Sequence, residues 1–233
     1  MAINYSPHIV SDGLVLCLDA ANPRSYSGAG STWSDLSGNG NNGTFGPGTA
    51  APAFGGDNGG YLDFDGSDDY GDVGSITPNI GDFTVGFIYQ LTGAGGRGGL
   101  FERRSLLPFN GFSLGQGGAG NWAMIVSGTS DFNNSISVNF TYPSLNTWYY
   151  DVAVYSSGNT LTNYRNGTFV SSSTGVSQGN LSTQGTRTNF LIANRDNATS
   201  LPCKVALVNC YNRALTPQEI LQNFNATKGR FGL

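Results

Sequence analysis

Charged side chains are scarce in this sequence, and their scarcity limits what the protein can bind. Only 11% of the 233 residues are charged, and 15 acidic against 11 basic side chains give a net charge of −4. Arg103 and Arg104 are the only adjacent basic residues. A nucleic-acid-binding surface needs clustered Lys and Arg side chains that neutralise phosphates. We therefore expect no nucleic acid partner.

Long apolar runs are missing from the N-terminal stretch MAINYSPHIVSDGLVLCLDAANP. Its longest apolar run extends from Leu14 to Leu18, and no Lys or Arg precedes that run. A signal peptide needs a basic start and about 7 to 15 apolar residues, and a membrane-spanning helix needs about 20. We expect no signal peptide, no membrane insertion, and folding in the cytoplasm of the cell that makes the protein.

Cysteine is rare, with only Cys17, Cys203 and Cys210 in the chain. If Cys203 and Cys210 share one strand, a rise of about 3.3 Å per residue separates them by roughly 23 Å, well beyond the reach of a disulfide. Two alternatives remain: three buried free thiols, or a bond from Cys17 to one of the other two. Free thiols fit a protein that folds in a reducing compartment.

Glutamate and histidine are nearly absent, since Glu102, Glu219 and His8 are the only ones. Glycosidases hold two carboxyl groups about 5 to 9 Å apart. Glu219 lies in a helix-capping pattern, Glu102 has no acidic neighbour at even spacing, and Asp63 and Asp65 are the only acids on one face of a predicted strand. A single histidine also argues against catalytic triads and zinc sites. We expect the protein not to be an enzyme.

Glycine and aromatic residues, in contrast, are plentiful, with 35 glycines and 12% aromatics. This composition is typical of many short strands that are joined by tight turns. Alternation in Phe83, Val85, Phe87 and Tyr89, and again in Trp148, Tyr150, Val152 and Val154, predicts that both sets face the core. Asn166-Gly167 predicts a hairpin between two late strands. Further strands are predicted at 13–18, 61–65, 100–103, 111–114, 122–126, 136–142, 161–164, 169–172 and 190–193, with a long turn-rich loop at 25–48.

The strand predicted at 204–211 has apolar side chains on both faces. Val205, Leu207 and Tyr211 are expected on one face, and Ala206, Val208 and Cys210 on the other. A strand that is covered on both sides lies inside a sheet rather than at its edge. The sequence therefore predicts a two-sheet antiparallel sandwich or jelly roll in one domain, residues 1–233, with a short N-terminal arm at about 1–12.

One helix is predicted after this strand, at about 217–227. Thr216 and Glu219 form a capping box around Pro217 at the first helical position, and Leu215 and Ile220 are spaced as a hydrophobic staple. Lys228 and Gly229 place a cation and a stop signal at the other end.

Several blocks of the sequence resemble a known family. GLVLCLDAANPRSYSGAGSTWSDLSGNGNNGTF, YLDFDGSDDYGDV, WYYDVAVY with NYRNGTFV, and VNCYNRALTPQEILQNFNATKGRF occur in the order found in laminin-G-like, concanavalin-A-like lectin/glucanase domains. FDGSDDY at 64–70 and YNRALTPQEI at 211–220 are the most specific parts. The opening block and the ending NATKGRFGL resemble more narrowly a subgroup found in tailed-bacteriophage virion proteins.

This resemblance implies a non-catalytic jelly roll that binds carbohydrate or protein through a rim or through the concave face. It implies a virion structural protein, such as a head decoration, neck or tail-fibre component, with other virion proteins and surface glycans as partners and with homo-oligomers common. A free or cell-attached lectin is the alternative, and a glycoside hydrolase or polysaccharide lyase is less favoured. The closing strand departs from the family, because Lys204, Val205, Ala206 and Leu207 stand where acids are common.

Four aspartates form a candidate calcium site. Asp65, Asp68, Asp69 and Asp72 lie within eight residues that also contain Gly66 and Gly71, and calcium takes hard oxygen ligands from flexible loops. The spacing is not that of an EF-hand. The alternative is that these residues simply form a tight turn after the strand.

Carbohydrate binding needs an exposed aromatic ring for stacking, with amides and acids nearby for the sugar hydroxyls. The aromatic candidates are Trp33 and Tyr70, followed by Tyr26 and Trp122, although such rings are more often part of a core. The polar candidates lie in one predicted loop and comprise Asn194, Arg195, Asp196 and Asn197.

Overall fold

The computed structural model describes residues 8–76, 82–94, 99–106, 109–116, 122–127, 135–156, 158–175, 189–195 and 199–233. The first strands, in chain order, are β1 (Leu14–Asp19), β2 (Thr32–Trp33), β3 (Gly43–Phe45), β4 (Ala53–Gly55), β5 (Tyr61–Phe64), β6 (Gly71–Asp72), β7 (Phe83–Leu91), β8 (Gly99–Leu106) and β9 (Phe109–Gln116). They continue as β10 (Trp122–Ser127), β11 (Ile136–Phe140), β12 (Trp148–Ser156), β13 (Thr160–Arg165), β14 (Thr168–Thr174), β15 (Leu191–Ile192), β16 (Asn194–Arg195), β17 (Thr199–Ser200) and β18 (Cys203–Tyr211).

Two eight-stranded antiparallel sheets pack face to face as a jelly-roll sandwich. The first sheet has the order β14-β13-β12-β7-β18-β5-β4, with β1 also paired to β18. The second sheet has the order β11-β10-β9-β8-β15-β6-β3-β2. Strands β2 and β3 lie inside the segment that was predicted as a turn-rich loop. The predicted all-β sandwich is thus confirmed.

Two hydrophobic clusters fill the molecule. The larger lies between the sheets and includes Phe87 and Val208 from the first sheet and Phe101 and Trp122 from the second. The smaller covers the outer face of the first sheet, where α1 (Pro217–Thr227) packs. The first sheet is therefore buried on both faces, which explains why its central strands are almost continuously apolar.

A register shift in β18 changes which side chains of this strand lie on each face of the sheet. The pairing of β18 with β7 is irregular between Val205 and Leu207. Val205 consequently faces the core between the sheets together with Val208, whereas Ala206 and Leu207 both pack in the cluster under the helix. The prediction that placed Val205 on the same face as Leu207 was wrong, because a bulge shifts the two-residue alternation by one position.

The two alternating sets, in β7 and β12, face opposite sides of the first sheet. Phe83, Val85, Phe87 and Tyr89 lie between the sheets, as predicted. Trp148, Tyr150, Val152 and Val154 are also buried, but they pack under the helix. The intersheet positions of β12 are taken by Ala153 and Tyr155 instead. Alternation predicts which residues share a face, but it does not say which layer covers that face.

The single α-helix among the described residues, α1, has the predicted bounds and the predicted cap. The Thr216 side chain accepts a hydrogen bond from the Glu219 backbone N–H, and the Glu219 carboxylate accepts one from the Thr216 N–H at 2.8 Å. Leu215 and Ile220 are both buried in the cluster beneath. This helix is too short and too polar to cross a membrane.

The cysteines occupy different faces of the first sheet. All three are buried and free. Cys203 and Cys210 pack between the sheets together with Leu16 and Leu18, so Cys17, which alternates with those two leucines, points to the other face. Burial raises the pKa of the Cys17 thiol to about 12. The structure thus agrees with the free-thiol alternative rather than with a disulfide from Cys17.

Candidate functional site: an acidic loop at the rim of the sandwich

A tight loop follows β5 where the chain passes from the first sheet to the second. We call Asp65–Tyr70 the rim loop. Asp65 Oδ1 accepts a hydrogen bond from the Ser67 backbone N–H at 2.7 Å, which forms the turn. Gly66 has φ of +82°, and a Cβ atom there would lie 2.8 Å from Pro202. Glycine is required at this position because other residues would be strained and would clash.

Three carboxylates converge in the rim loop. Ligand oxygens of Asp65, Asp68 and Asp69 all lie within 4.8 Å of one another. Asp65 and Asp68 are exposed, whereas Asp69 is buried. Asp69 Oδ2 accepts a hydrogen bond from the Asp65 N–H at 2.8 Å, and Thr49 Oγ1 donates one to Asp68 Oδ2 at 3.0 Å. Convergent carboxylates of this kind suit a calcium ion.

The electrostatics of the rim loop favour a cation. Burial raises the pKa of Asp69, the hydrogen bond from the Asp65 N–H opposes that shift, and the negative charges of Asp65, Asp68 and Asp63 raise the pKa further. Among the described side chains, the charged groups that act on the pKa of Asp69 are all carboxylates. A divalent cation among them would relieve the repulsion and favour the ionised form.

Asp72, the fourth predicted ligand, lies apart from these three. It is in β6, where its Oδ1 accepts a hydrogen bond from the Gly74 N–H at 2.8 Å and its Oδ2 accepts one from Asn189 Nδ2 at 2.9 Å. Its carboxylate thus fixes the end of β6. Within the described residues, the structure brings together three of the four predicted metal ligands.

Asn194 supports the rim loop from below. It is buried, and its Nδ2 donates to Ser200 Oγ at 2.9 Å, while Ser200 Oγ donates to the Asp69 carbonyl at 3.2 Å. The predicted polar residue thus positions the loop rather than facing solvent. Asp196 and Asn197 lie outside the described residues. Sequence reasoning missed Ser200 and Thr49, because both reach the loop through contacts that are distant in the sequence.

Among the aromatic candidates, Tyr70 is the one with a partly exposed ring. It packs over Gly46, where a Cβ atom would lie 2.6 Å from the ring. Trp33 and Trp122 are fully buried, and Tyr26 is 6% exposed. Trp122 stacks on Tyr89 with ring centroids 5.5 Å apart. Buried rings present no face to a sugar, so Tyr70 is the aromatic available beside the acidic cluster.

The acids considered for catalysis have other roles. Asp63 lies opposite Lys204 in the β5–β18 pair, and burial raises its pKa while Lys204 lowers it. Asp65 holds the turn described above. Glu102 is buried in the second sheet, where its Oε2 accepts a hydrogen bond from Ser113 Oγ at 3.1 Å.

Comparison with known families agrees with this architecture. Residues 65–221 match a laminin G family model of the concanavalin A-like lectin/glucanases superfamily. The match covers more than half of the chain, and the protein belongs to this family. It is therefore a laminin-G-type, concanavalin-A-like domain protein. A comparison with curated proteins found no match.

Solved structures with the same fold include toxin binding domains and a sialidase. The binding domain of Paraclostridial Mosquitocidal Protein 1 is 18% identical with a TM-score of 0.67, over 93% of this chain and 52% of that one. The binding domain of botulinum neurotoxin DC, in complex with rat synaptotagmin II, is 13% identical with a TM-score of 0.68, over 94% and 52%. Trypanosoma rangeli sialidase, in complex with sialic acid, is 17% identical with a TM-score of 0.63, over 94% and 33%. This chain spans about half the length of the toxin domains and a third of the sialidase.

Proposed function

We propose that this protein is a non-enzymatic binding domain that recognises glycans through its rim loop with the help of a calcium ion, and that it is carried on a bacteriophage virion. The observation that carries the binding role is the convergence of the Asp65, Asp68 and Asp69 oxygens within 4.8 Å. Such a cluster can hold calcium, which in turn can accept sugar hydroxyls as ligands. Tyr70 supplies the adjacent ring.

The solved structures of the same fold support a binding role. Toxin binding domains and a sialidase complex with sialic acid are among them. This chain matches about half of each toxin domain, so the ligand has to be identified on this protein itself.

The positions of the carboxylates support a non-enzymatic role. Glycoside hydrolysis requires an acid and a second carboxylate across one sugar-binding cleft. Asp63 is paired with Lys204, and Asp65 belongs to the rim cluster. Glu102 lies in the other sheet, buried beside Ser113. Loss of a hydrolytic or lyase product on Asp63→Asn would favour the enzyme alternative instead.

The virion location rests on the resemblance of the opening and closing sequence blocks to phage proteins. The domain would act there as a head decoration, neck or tail-fibre component, with one part of its surface against other virion proteins and the rim loop directed outward. Mass spectrometry of purified particles tests this location. Particles that lack the chain would contradict it and would favour a free or cell-attached lectin.

The binding role is tested on a glycan array with the purified protein, in calcium and in excess EDTA. We expect retention of a defined glycan in calcium, and loss of that retention in EDTA and in Asp69→Asn. Asp57→Asn is the matched control, because Asp57 is exposed and lies outside the cluster. Equal retention by wild type and Asp69→Asn would remove the rim loop from the proposal.

A further inference from the structure

The dipeptide Asn-Gly, which recurs in this chain, allows an asparagine side chain to be attacked by its own backbone. Glycine favours this reaction because it has no Cβ atom to hinder the amide nitrogen that follows the asparagine. Asn-Gly begins at Asn39, Asn42, Asn58, Asn110 and Asn166. All of these positions meet the sequence requirement, so their surroundings in the structure decide which of them reacts.

Two of these turns have almost the same backbone. Asn58 has φ of +53° and Asn166 has φ of +52°, and the glycines that follow, Gly59 and Gly167, have φ of +86° and +77°. Each turn joins two antiparallel neighbours, β4 with β5 and β13 with β14. The dipeptide and its backbone conformation therefore do not distinguish Asn58 from Asn166.

The side chain of Asn166 is held in place. Its Oδ1 accepts a hydrogen bond from the Tyr150 N–H at 2.9 Å, and the Asn166 N–H donates to the Tyr150 carbonyl at 2.8 Å. Gly167 packs beneath α1, where an added Cβ atom would lie 2.9 Å from the Phe224 side chain. The carboxamide can reach the Gly167 nitrogen only after these contacts break, so the fold protects Asn166.

Asn58 is not held in this way. It is exposed, and within the described residues its side chain makes no hydrogen bond. Gly59 is exposed as well, and an added Cβ atom there would lie 3.5 Å from Ala21 and 3.8 Å from Arg230. Rotation of the Asn58 side chain toward the Gly59 nitrogen therefore breaks no hydrogen bond of that side chain.

The other three asparagines are restrained by their own contacts. Asn39 Nδ2 donates to the Leu14 carbonyl at 3.0 Å, and Asn42 Oδ1 accepts a hydrogen bond from the Asp35 N–H at 2.9 Å. Asn110 lies within β9, where the backbone is paired with β8. Each of them has to break a hydrogen bond or a strand pairing before it can react.

We propose that Asn58 is a site of spontaneous deamidation. The Gly59 backbone nitrogen loses its proton and attacks Asn58 Cγ, which closes a succinimide ring. The Cγ–Nδ2 bond breaks, and the Nδ2 group leaves as ammonia with that proton. Water then opens the ring at one of its two carbonyls and gives aspartate or isoaspartate. The reaction uses water and no oxidant, reductant or cofactor.

The reaction alters the turn between β4 and β5 in charge and in length. Each product adds one negative charge to a protein whose net charge is already −4. Isoaspartate also adds one carbon atom to the main chain, close to the pair formed by Gly55 and Tyr61. The Tyr61 ring covers Gly55 without room for a Cβ atom. The longer turn therefore acts on a closely packed end of the β4–β5 pair.

Peptide mapping by mass spectrometry during incubation at pH 8 tests the proposal. The measured quantity is the rate at which Asn58 and Asn166 gain the mass difference between an amide and a carboxyl group. In the folded protein, we expect Asn58 to react about tenfold or more faster than Asn166, because Asn166 reacts only from an opened state. In urea that unfolds the protein, the two rates should converge.

Asn58→Gln should abolish the more acidic form that isoelectric focusing separates, because the longer side chain does not form the succinimide. Asn225→Gln, at an exposed asparagine that is not followed by glycine, should leave that form unchanged. Equal rates at Asn58 and Asn166 in the folded protein would overturn the proposal, and so would an acidic form that persists in Asn58→Gln. The experiment contains no glycan and no calcium, so its outcome is separate from that of the proposed binding role.

Discussion

Two groups of acids in this molecule have opposite surroundings. Asp151 is fully buried, and Arg165 donates from Nε to its Oδ1 and from Nη2 to its Oδ2, each at 2.8 Å. The Tyr89 hydroxyl donates a third hydrogen bond to Oδ2 at 2.8 Å. In the rim loop, by contrast, Asp69 is buried beside two other carboxylates. Asp151 is thus compensated by a cation, whereas the charged neighbours of Asp69 among the described side chains are all carboxylates.

The difference indicates where the protein uses acids for stability and where it does not. Glu219 accepts two hydrogen bonds from the Arg213 guanidinium, at 2.6 and 3.0 Å, and Asp19 accepts two from Arg230. The Arg213 pair is bidentate, with one guanidinium nitrogen on each carboxylate oxygen, and Arg230 reaches both oxygens of Asp19 from Nη1; such charge-assisted bonds fix chain segments in one geometry. Among the described side chains, the rim loop concentrates negative charge without such a pair, which is costly for folding unless a cation is bound.

The largest expected effect comes from breaking the compensated pair. Arg165→Met keeps the length of the side chain but leaves the Asp151 charge buried without its cation. We expect a loss of about 3 to 5 kcal/mol in the free energy of unfolding, as is usual when one partner of a buried pair is removed. The measurement is urea unfolding at pH 7. Arg24→Met, at an exposed position, is the control and should change the free energy of unfolding little. A loss below about 1 kcal/mol for Arg165→Met would show that Arg165 does not compensate the buried charge of Asp151.

This pair shows how far the sequence could predict the structure. Asn166-Gly167 predicts the hairpin that pairs β13 with β14, whereas no sequence pattern predicted the pairing of β12 with β13 that sets Asp151 opposite Arg165. The capping box likewise predicts the start of α1, because all of its contacts are local. What depends on contacts between distant segments was not predictable in the same way. The bulge in β18 and the burial of Asn194 beneath the rim loop arise from packing between strands that are far apart in the chain.

The second effect comes from supplying a cation to the uncompensated acids. Calcium at 100 times its dissociation constant should stabilise the wild type by about 2.7 kcal/mol, because an ion that binds only the folded state raises its stability. Asp69→Asn should lose this response. Thermal unfolding in millimolar calcium and in excess EDTA measures it, with Asp57→Asn as the matched control. An identical melting temperature in both conditions for the wild type would show that the rim loop holds no calcium.

The smallest expected effect is on the pH dependence of stability. Glu219 and Asp69 should change the free energy of unfolding in opposite directions as the pH falls. The Arg213 hydrogen bonds lower the pKa of Glu219 from 4.5 to about 2. Its contribution to stability is therefore present above 4.5 and is lost as the pH falls toward 2. Glu219→Gln should cost about 0.5 to 1 kcal/mol at pH 7, and this cost should shrink through that window.

The pKa of Asp69 is raised instead, so its contribution is present below 3.8 and is lost as the pH rises through the folded-state pKa. In EDTA, Asp69→Asn should therefore be more stable than the wild type at pH 7, and the gain should disappear on acidification. Urea unfolding of both variants from pH 7 to pH 3 measures the two slopes. The contrary result would be that both variants are less stable than the wild type at pH 7 and that both losses shrink on acidification. The rim loop would then be a compensated structural site like the Asp151–Arg165 pair, and the case for a cation there would fail.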